Sequence, residues 1–233
     1  MQKVICAWRL IDDFTGEVLK GLDYTFKITP SQGRLLVKSD GYFVWVGDEG
    51  CEQIEVTITS KRYRMYKETI LCQQLNPRNP TITVRLFPNK LYEKQSLRKV
   101  SGKITASNQE VILIPKLEKS LIKFGGMQTD EELRIHRMAP LYINHLNLMI
   151  LSDQMQDLEI FQGTVLNDLQ GFKLNKPLKQ QYQTNSEIVR VYRSISDEEG
   201  NYTIILDDFY EFKTYWIAYI TKNKWIKTLE SID

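Results

Sequence analysis

Few residues in this chain have the type and spacing that chemistry requires. The two histidines, His136 and His145, stand nine positions apart, outside any metal-ligand or catalytic spacing. His145 lies in an apolar run with Tyr142, Ile143, Leu146 and Leu148, where a packed structural histidine is the expectation. The sequence holds no nucleophile elbow, phosphate loop or dinucleotide fingerprint. Cys6 and Cys51 have no neighbouring histidine to activate a thiolate. The carboxylate pairs Asp157/Glu159 and Asp207/Asp208 fit solvated strand ends. These residues predict a non-enzyme, with no catalytic residue, no cofactor and no metal site.

Asp12, Asp13, Asp40 and Asp48 are the group that invites a cation. Calcium needs about six to eight oxygen ligands, and no loop here alternates Asp and Asn as a calcium loop does. Turn chemistry is the better account. In Asp12-Asp13-Phe14-Thr15-Gly16 the carboxylates are expected to bond nearby backbone N–H groups, and the glycine to accept a positive φ.

Aromatic side chains are the larger resource. Tyr63, Tyr66, Tyr192, Tyr210, Tyr215, Trp216, Tyr219 and Trp225 can stack on sugars or anchor a partner, and Lys61, Arg62 and Arg64 flank Tyr63. Strand propensity and core packing explain many such rings. Residues 213–220, however, are apolar on both faces, more than one sandwich core requires. The second face must be covered, by a protein partner, by the insertion that precedes it or by the other domain. Trp216, Tyr219 and Trp225, with Tyr63 and Tyr66, are therefore the expected partner-binding residues.

The elements that would carry these residues are strands. Tyr24, Phe26 and Ile28 alternate with polar neighbours, as do Ile54, Val56 and Ile58, and Ile82, Val84 and Leu86. Val4, Cys6, Trp8 and Leu10 share one side of a first strand. Residues 42–46 are apolar on both faces. About seven short strands separated by turn signals make residues 1–88 a sandwich. Its expected core is Trp8, Phe26, Val44, Ile54, Val56, Ile58 and Val84.

A motif recurs downstream. Leu10-Ile11-Asp12-Asp13-Phe14-Thr15-Gly16 is echoed 155 positions later (165 − 10) by Val165-Leu166-Asn167-Asp168-Leu169-Gln170-Gly171. A second cue follows each copy, Ser39-Asp40-Gly41-Tyr42-Phe43 and then Ser196-Asp197-Glu198-Glu199-Gly200-Asn201-Tyr202. Residues 89–99 read as a linker, and residues 100–233 as a second sandwich elaborated by an insertion. Within it, 100–106, 110–114 and 121–124 read as strands, Gly125-Gly126 as a flexible break and 130–136 as a helical turn. Residues 141–151 fit strand and helix equally.

Composition narrows the partners. Thirty-one Lys and Arg against 29 Asp and Glu leave a net charge of +2, with no basic stripe for nucleic acid. No run approaches the ~18 apolar residues of a membrane helix, so no membrane insertion is expected. Three cysteines cannot all pair, and buried free thiols are expected. Residues 1–10 lack the features of an export leader, which predicts synthesis and retention in the cytoplasm.

Trp8-Arg9-Leu10-Ile11-Asp12-Asp13-Phe14-Thr15-Gly16-Glu17, Ser39-Asp40-Gly41-Tyr42-Phe43 and Ile54-Glu55-Val56-Thr57-Ile58-Thr59-Ser60-Lys61-Arg62-Tyr63 resemble carboxypeptidase-regulatory-like domains. Gly16-Glu17-Val18-Leu19-Lys20-Gly21 fits that family's first turn, while Ser39-Asp40-Gly41-Tyr42 is a shortened form of its second. The resemblance spans residues 1–88 well and 160–233 weakly. It implies an all-β chain of tandem Greek-key, transthyretin-like β-sandwiches, a fold used for spacing, assembly and adhesion. The opening Trp-Arg-Leu-Ile-Asp-Asp-Phe-Thr-Gly is more loosely similar to accessory proteins of phage tails and contractile tail-like particles. That similarity implies a structural or adaptor subunit of a particle assembled in the cytoplasm, partnered by other protein subunits or by copies of itself. The alternative is a carbohydrate- or cell-surface-binding module whose partner is a glycan.

Overall fold

The computed structural model describes residues 2–30, 32–48, 50–92, 97–117, 122–136, 146–151, 158–207, 212–221 and 224–231, with Gln2, Leu158, Thr221, Lys224 and Trp225 described by backbone alone. His145, Tyr142, Ile143, Asp157, Asp208, Tyr210 and parts of the 89–99 linker and of the insertion lie outside these residues. The described chain is all-β, as expected, with one short 3-10 turn at Cys72–Gln74. It divides into two compact units: residues 1–13 with 17–94, and residues 95–233 with 14–16.

The first unit contains β1 (Gln2–Asp12), β2 (Thr25–Thr29), β3 (Gly33–Val37), β4 (Tyr42–Asp48), β5 (Gln53–Thr59), β6 (Tyr66–Leu71) and β7 (Thr81–Leu86). Four form a sheet in the order β3-β4-β1-β7, and three form a second in the order β2-β5-β6. The alternation of β5 determines its faces: Ile54, Val56 and Ile58 are buried, with Glu55 exposed between them. Aromatic rings join the sheets, Phe26 of β2 lying 5.5 Å from Trp8 of β1 and 4.9 Å from Phe43 of β4. This is sandwich packing.

Two of the seven expected core residues, Val44 and Phe26, are half-buried rather than buried. Phe43 is buried where Val44 was expected, and Val44 is half-buried. A strand apolar on both faces carries no period to assign its core side, so pairing decides it. Val4 is 49% exposed because a bulge between Val4 and Cys6 breaks the register of β1 against β4. Beyond the bulge the expected phase holds, with Cys6, Trp8 and Leu10 fully buried. Phe26 is half-buried, while Trp8 and Val84 are buried as expected.

The second unit contains β8 (Arg98–Lys103), β9 (Glu110–Pro115), β10 (Ile122–Gln128), β11 (Glu132–Ile135), β12 (Leu148–Leu151), β13 (Leu158–Phe161), β14 (Gly163–Val165), β15 (Gly171–Leu174), β16 (Glu187–Arg190), β17 (Tyr192–Ile195), β18 (Asn201–Leu206), β19 (Thr214–Thr221) and β20 (Lys224–Ser231). They form three sheets: β13-β12-β16-β10-β11-β15-β14, β17-β9-β19-β20, and the pair β18-β8. One chain segment passes between sheets at Val191, where β16 ends and β17 begins. Residues 130–136 do not make a helical turn. Buried Leu133 and Ile135 alternate with Glu132 and Arg134, and β11 pairs with β10 and β15. Gly125-Gly126 lies inside β10, where a register shift accommodates Gly126 at φ +89°.

The repeated motif makes two related turns. Asp12 N–H donates to the Glu17 carbonyl at 2.9 Å, and Leu166 N–H to the Gly171 carbonyl at 3.0 Å, each closing a four-residue connection. The closures differ by 154 positions (166 − 12), one fewer than the sequence echo. Left-handed backbone falls at Gly16 in one and at Leu169 in the other, so the turns share length but not conformation. Gly41 and Gly200 share a conformation, with φ +91° and +85° and the same bonding to Lys38/Tyr42 and Asp197/Asn201. The first of these joins paired strands β3 and β4, whereas the second turns the chain from the β17 sheet to the β18 sheet.

Candidate functional site

Asp12 and Asp13 are buried at 2% and 1% exposure. Side chains distant in sequence reach both carboxylates. Tyr63 donates its hydroxyl to Asp12 at 3.0 Å, and Tyr92 donates to the same oxygen at 2.5 Å. Arg85 meets Asp13 at 2.8 Å. Burial, followed by the Asp12 charge, raises the Tyr63 pKa, and burial with the Asp12 hydrogen bond raises that of Tyr92. The phenols therefore stay protonated and serve as donors. Asp40 and Asp48 are exposed, one in the turn before β4 and the other at its end, so these four carboxylates make no cluster. Among the described residues, no group of three or more His, Cys, Asp or Glu is placed to hold a metal.

The aromatic positions are also occupied. Tyr63 is buried, its ring 5.6 Å from that of Tyr92. Tyr66 is half-buried and hydrogen-bonds Glu68. Beside them, Arg62 pairs with Asp23 at 3.3 Å, which offsets part of the basic cluster. Tyr219 is buried with Val111, Leu113, Tyr202 and Ile204. Trp216 is half-buried on the opposite face, against Ile112, Ile114, Met149 and Val189. The described part of Trp225 is its backbone, paired with Ile220.

These contacts explain why residues 213–220 are apolar on both sides. One face of the β17-β9-β19-β20 sheet packs on β18-β8 and the other on β12 and β16. The cover is internal to the unit, and Met149 supplies part of it from the end of the insertion. Tyr63 and Tyr219 are buried and Tyr66 and Trp216 half-buried, and no exposed aromatic floor forms among the described residues.

An open cleft lies in the first unit instead. It encloses about 740 Å³ and is lined by Lys3, Val4, Cys51, Leu71, Cys72 and Pro77, among others. The bulge turns Val4 outward into it, and Leu71 closes edge strand β6 with 36% exposure. The sequence placed Cys51 and Cys72 on separate segments. In the structure the Cys72 thiol donates to Cys51 Sγ at 3.0 Å. Pairing of β5 with β6 makes this proximity, because Gln53 faces Leu71 and Cys72 N–H donates to the Glu52 carbonyl at 2.9 Å. A separation of 21 positions gives no sequence signal for it.

No family model, no curated protein and no solved structure matches the chain.

Proposed function

We propose that this chain is a non-enzymatic structural or adaptor protein that docks onto other protein subunits of a larger assembly. The observation that carries this reading is the first unit's cleft, where Val4 and Leu71 leave apolar surface exposed beside edge strand β6. Edge strands and exposed apolar side chains are the surfaces that protein partners cover. The internal packing of Trp216 and Tyr219 shifts this docking role from the second unit to the first. The assembly suggested by the opening residues is a phage tail or contractile tail-like particle, and that resemblance is the support for this finer assignment.

The test is co-sedimentation of the full chain with sheath or tube proteins from a native particle. Val4→Glu combined with Leu71→Glu places charge on both walls of the cleft and should abolish incorporation while leaving the circular dichroism spectrum unchanged. Normal incorporation of the folded double variant would remove the cleft from the interface. Absence of the unmodified chain from the particle would remove the tail-like assignment.

A further inference from the structure

We propose that Cys51 and Cys72 form a redox-active dithiol pair that closes to an intrachain disulfide on the wall of the first unit's cleft. Three observations carry this. The sulfurs lie 3.0 Å apart, so a covalent bond of ~2.05 Å needs about one ångström of approach. Both residues are half-buried and line the open cleft, which lets a small oxidant reach them. The backbone already holds the segments together through the Cys72 N–H to Glu52 carbonyl bond, while Gly50, at φ +94° with open space around it, precedes Cys51.

The hydrogen bonds divide the roles. Cys72 donates its S–H to Cys51 Sγ at 3.0 Å, and Cys51 donates its own S–H to the Gln53 carbonyl at 3.4 Å, so Cys72 is the inner donor of the pair and Cys51 the acceptor. Burial and the Cys51 contact push the Cys72 thiol up to about 12, which keeps it protonated as the donor. The oxidant is a low-molecular-weight disulfide. Cys51 loses its proton to solvent, attacks one sulfur of that disulfide, forms a mixed disulfide and expels one small thiolate. Cys72 then loses its proton to solvent and attacks Cys51 Sγ, expelling the second small thiolate. The balance is two protein thiols oxidised to one disulfide and one small disulfide reduced to two thiols. Cys6 takes no part. It is fully buried on the core side of β1, and burial raises its thiol to about 12.

The test incubates the full reduced chain with oxidised glutathione, alkylates the remaining thiols after unfolding and maps the peptides by mass. The expected product is a Cys51–Cys72 cross-linked peptide, with alkylated Cys6 the single thiol left of three. Cys72→Ser should stop at a stable glutathione adduct on Cys51. Cys51→Ser should leave Cys72 a thiol, with modification slowed about tenfold or more. Three alkylated cysteines in the unmodified chain would overturn the proposal. So would a persistent adduct on Cys51, a bridge to Cys6 or a dimer linked between chains.

Discussion

Tyr63 donates its hydroxyl to Asp12 at 3.0 Å across 51 positions of sequence, tying the end of β1 to the segment that follows β5. Tyr92 donates to the same oxygen, so one buried carboxylate gathers two phenols. A buried carboxylate is costly unless its lone pairs are engaged, and these hydroxyls engage them. Tyr63→Phe should therefore lower the stability of the first unit by about 1–3 kcal/mol. Asp12→Ala should cost more, because it leaves two buried hydroxyls without this acceptor. Urea unfolding followed by fluorescence checks both, and an unchanged midpoint for Asp12→Ala would contradict the arrangement.

Gly33 has no side chain because Trp45 occupies the space. A Cβ there would stand 2.6 Å from the Trp45 ring and 2.6 Å from the Val46 carbonyl oxygen. β3 is an edge strand, so the ring covers a backbone position that a larger residue would push away. Gly33→Ala should destabilise the first unit by about 1–3 kcal/mol through overpacking. A thermal melt equal to that of the parent protein would show that the ring moves freely.

Met149 is fully buried among Ile112, Ile114, Val189 and Ala218, between two sheets of the second unit. Met149→Ala should cost that unit about 2–5 kcal/mol by leaving a cavity. The same change should expose the Trp216 side of β19 and raise binding of a hydrophobic dye. Without that rise, Met149 would not be part of the cover over the strand.

Arg134 holds Asp168 at 2.5 Å, and Gln170 N–H donates to the same carboxylate at 2.9 Å. The backbone donor first, and the Arg134 bond second, hold the Asp168 pKa below the usual carboxylate range. A depressed folded-state pKa stabilises the fold above the ordinary carboxylate pKa, and that stabilisation is lost as pH falls through the depressed value. Asp168 is exposed and Arg134 half-buried, so solvent screening keeps the effect small. A carboxylate NMR titration should place Asp168 below ordinary aspartates, and Arg134→Ala should move it part of the way back. An unmoved midpoint would assign the whole shift to the backbone donor.

Much of the first sandwich was legible because its strands obey a two-residue period. Ile54, Val56 and Ile58 declare their buried side by alternation alone, and Trp8 and Leu10 do the same. Where the period vanished, so did the assignment. Residues 42–46 offered no reason to prefer Phe43 over Val44, and pairing with β1 and β3 made the choice. Residues 130–136 contained an alternating Glu-Leu-Arg-Ile too short to outweigh the acidic stretch before it, and two partner strands made it β11.

What the amino-acid sequence determined by itself is local: strand content, turn positions and the need to cover both faces of residues 213–220. Each follows from side-chain period, turn stereochemistry or hydrophobicity, which act within a few residues. What covers those faces was decided by tertiary structure, because β8, β12, β16 and β18 reach β19 through long-range packing. The partners of Asp12 and the meeting of Cys51 with Cys72 were decided in the same way. They depend on which strands pair and in what register, and register is a property of the assembled sheet rather than of either strand.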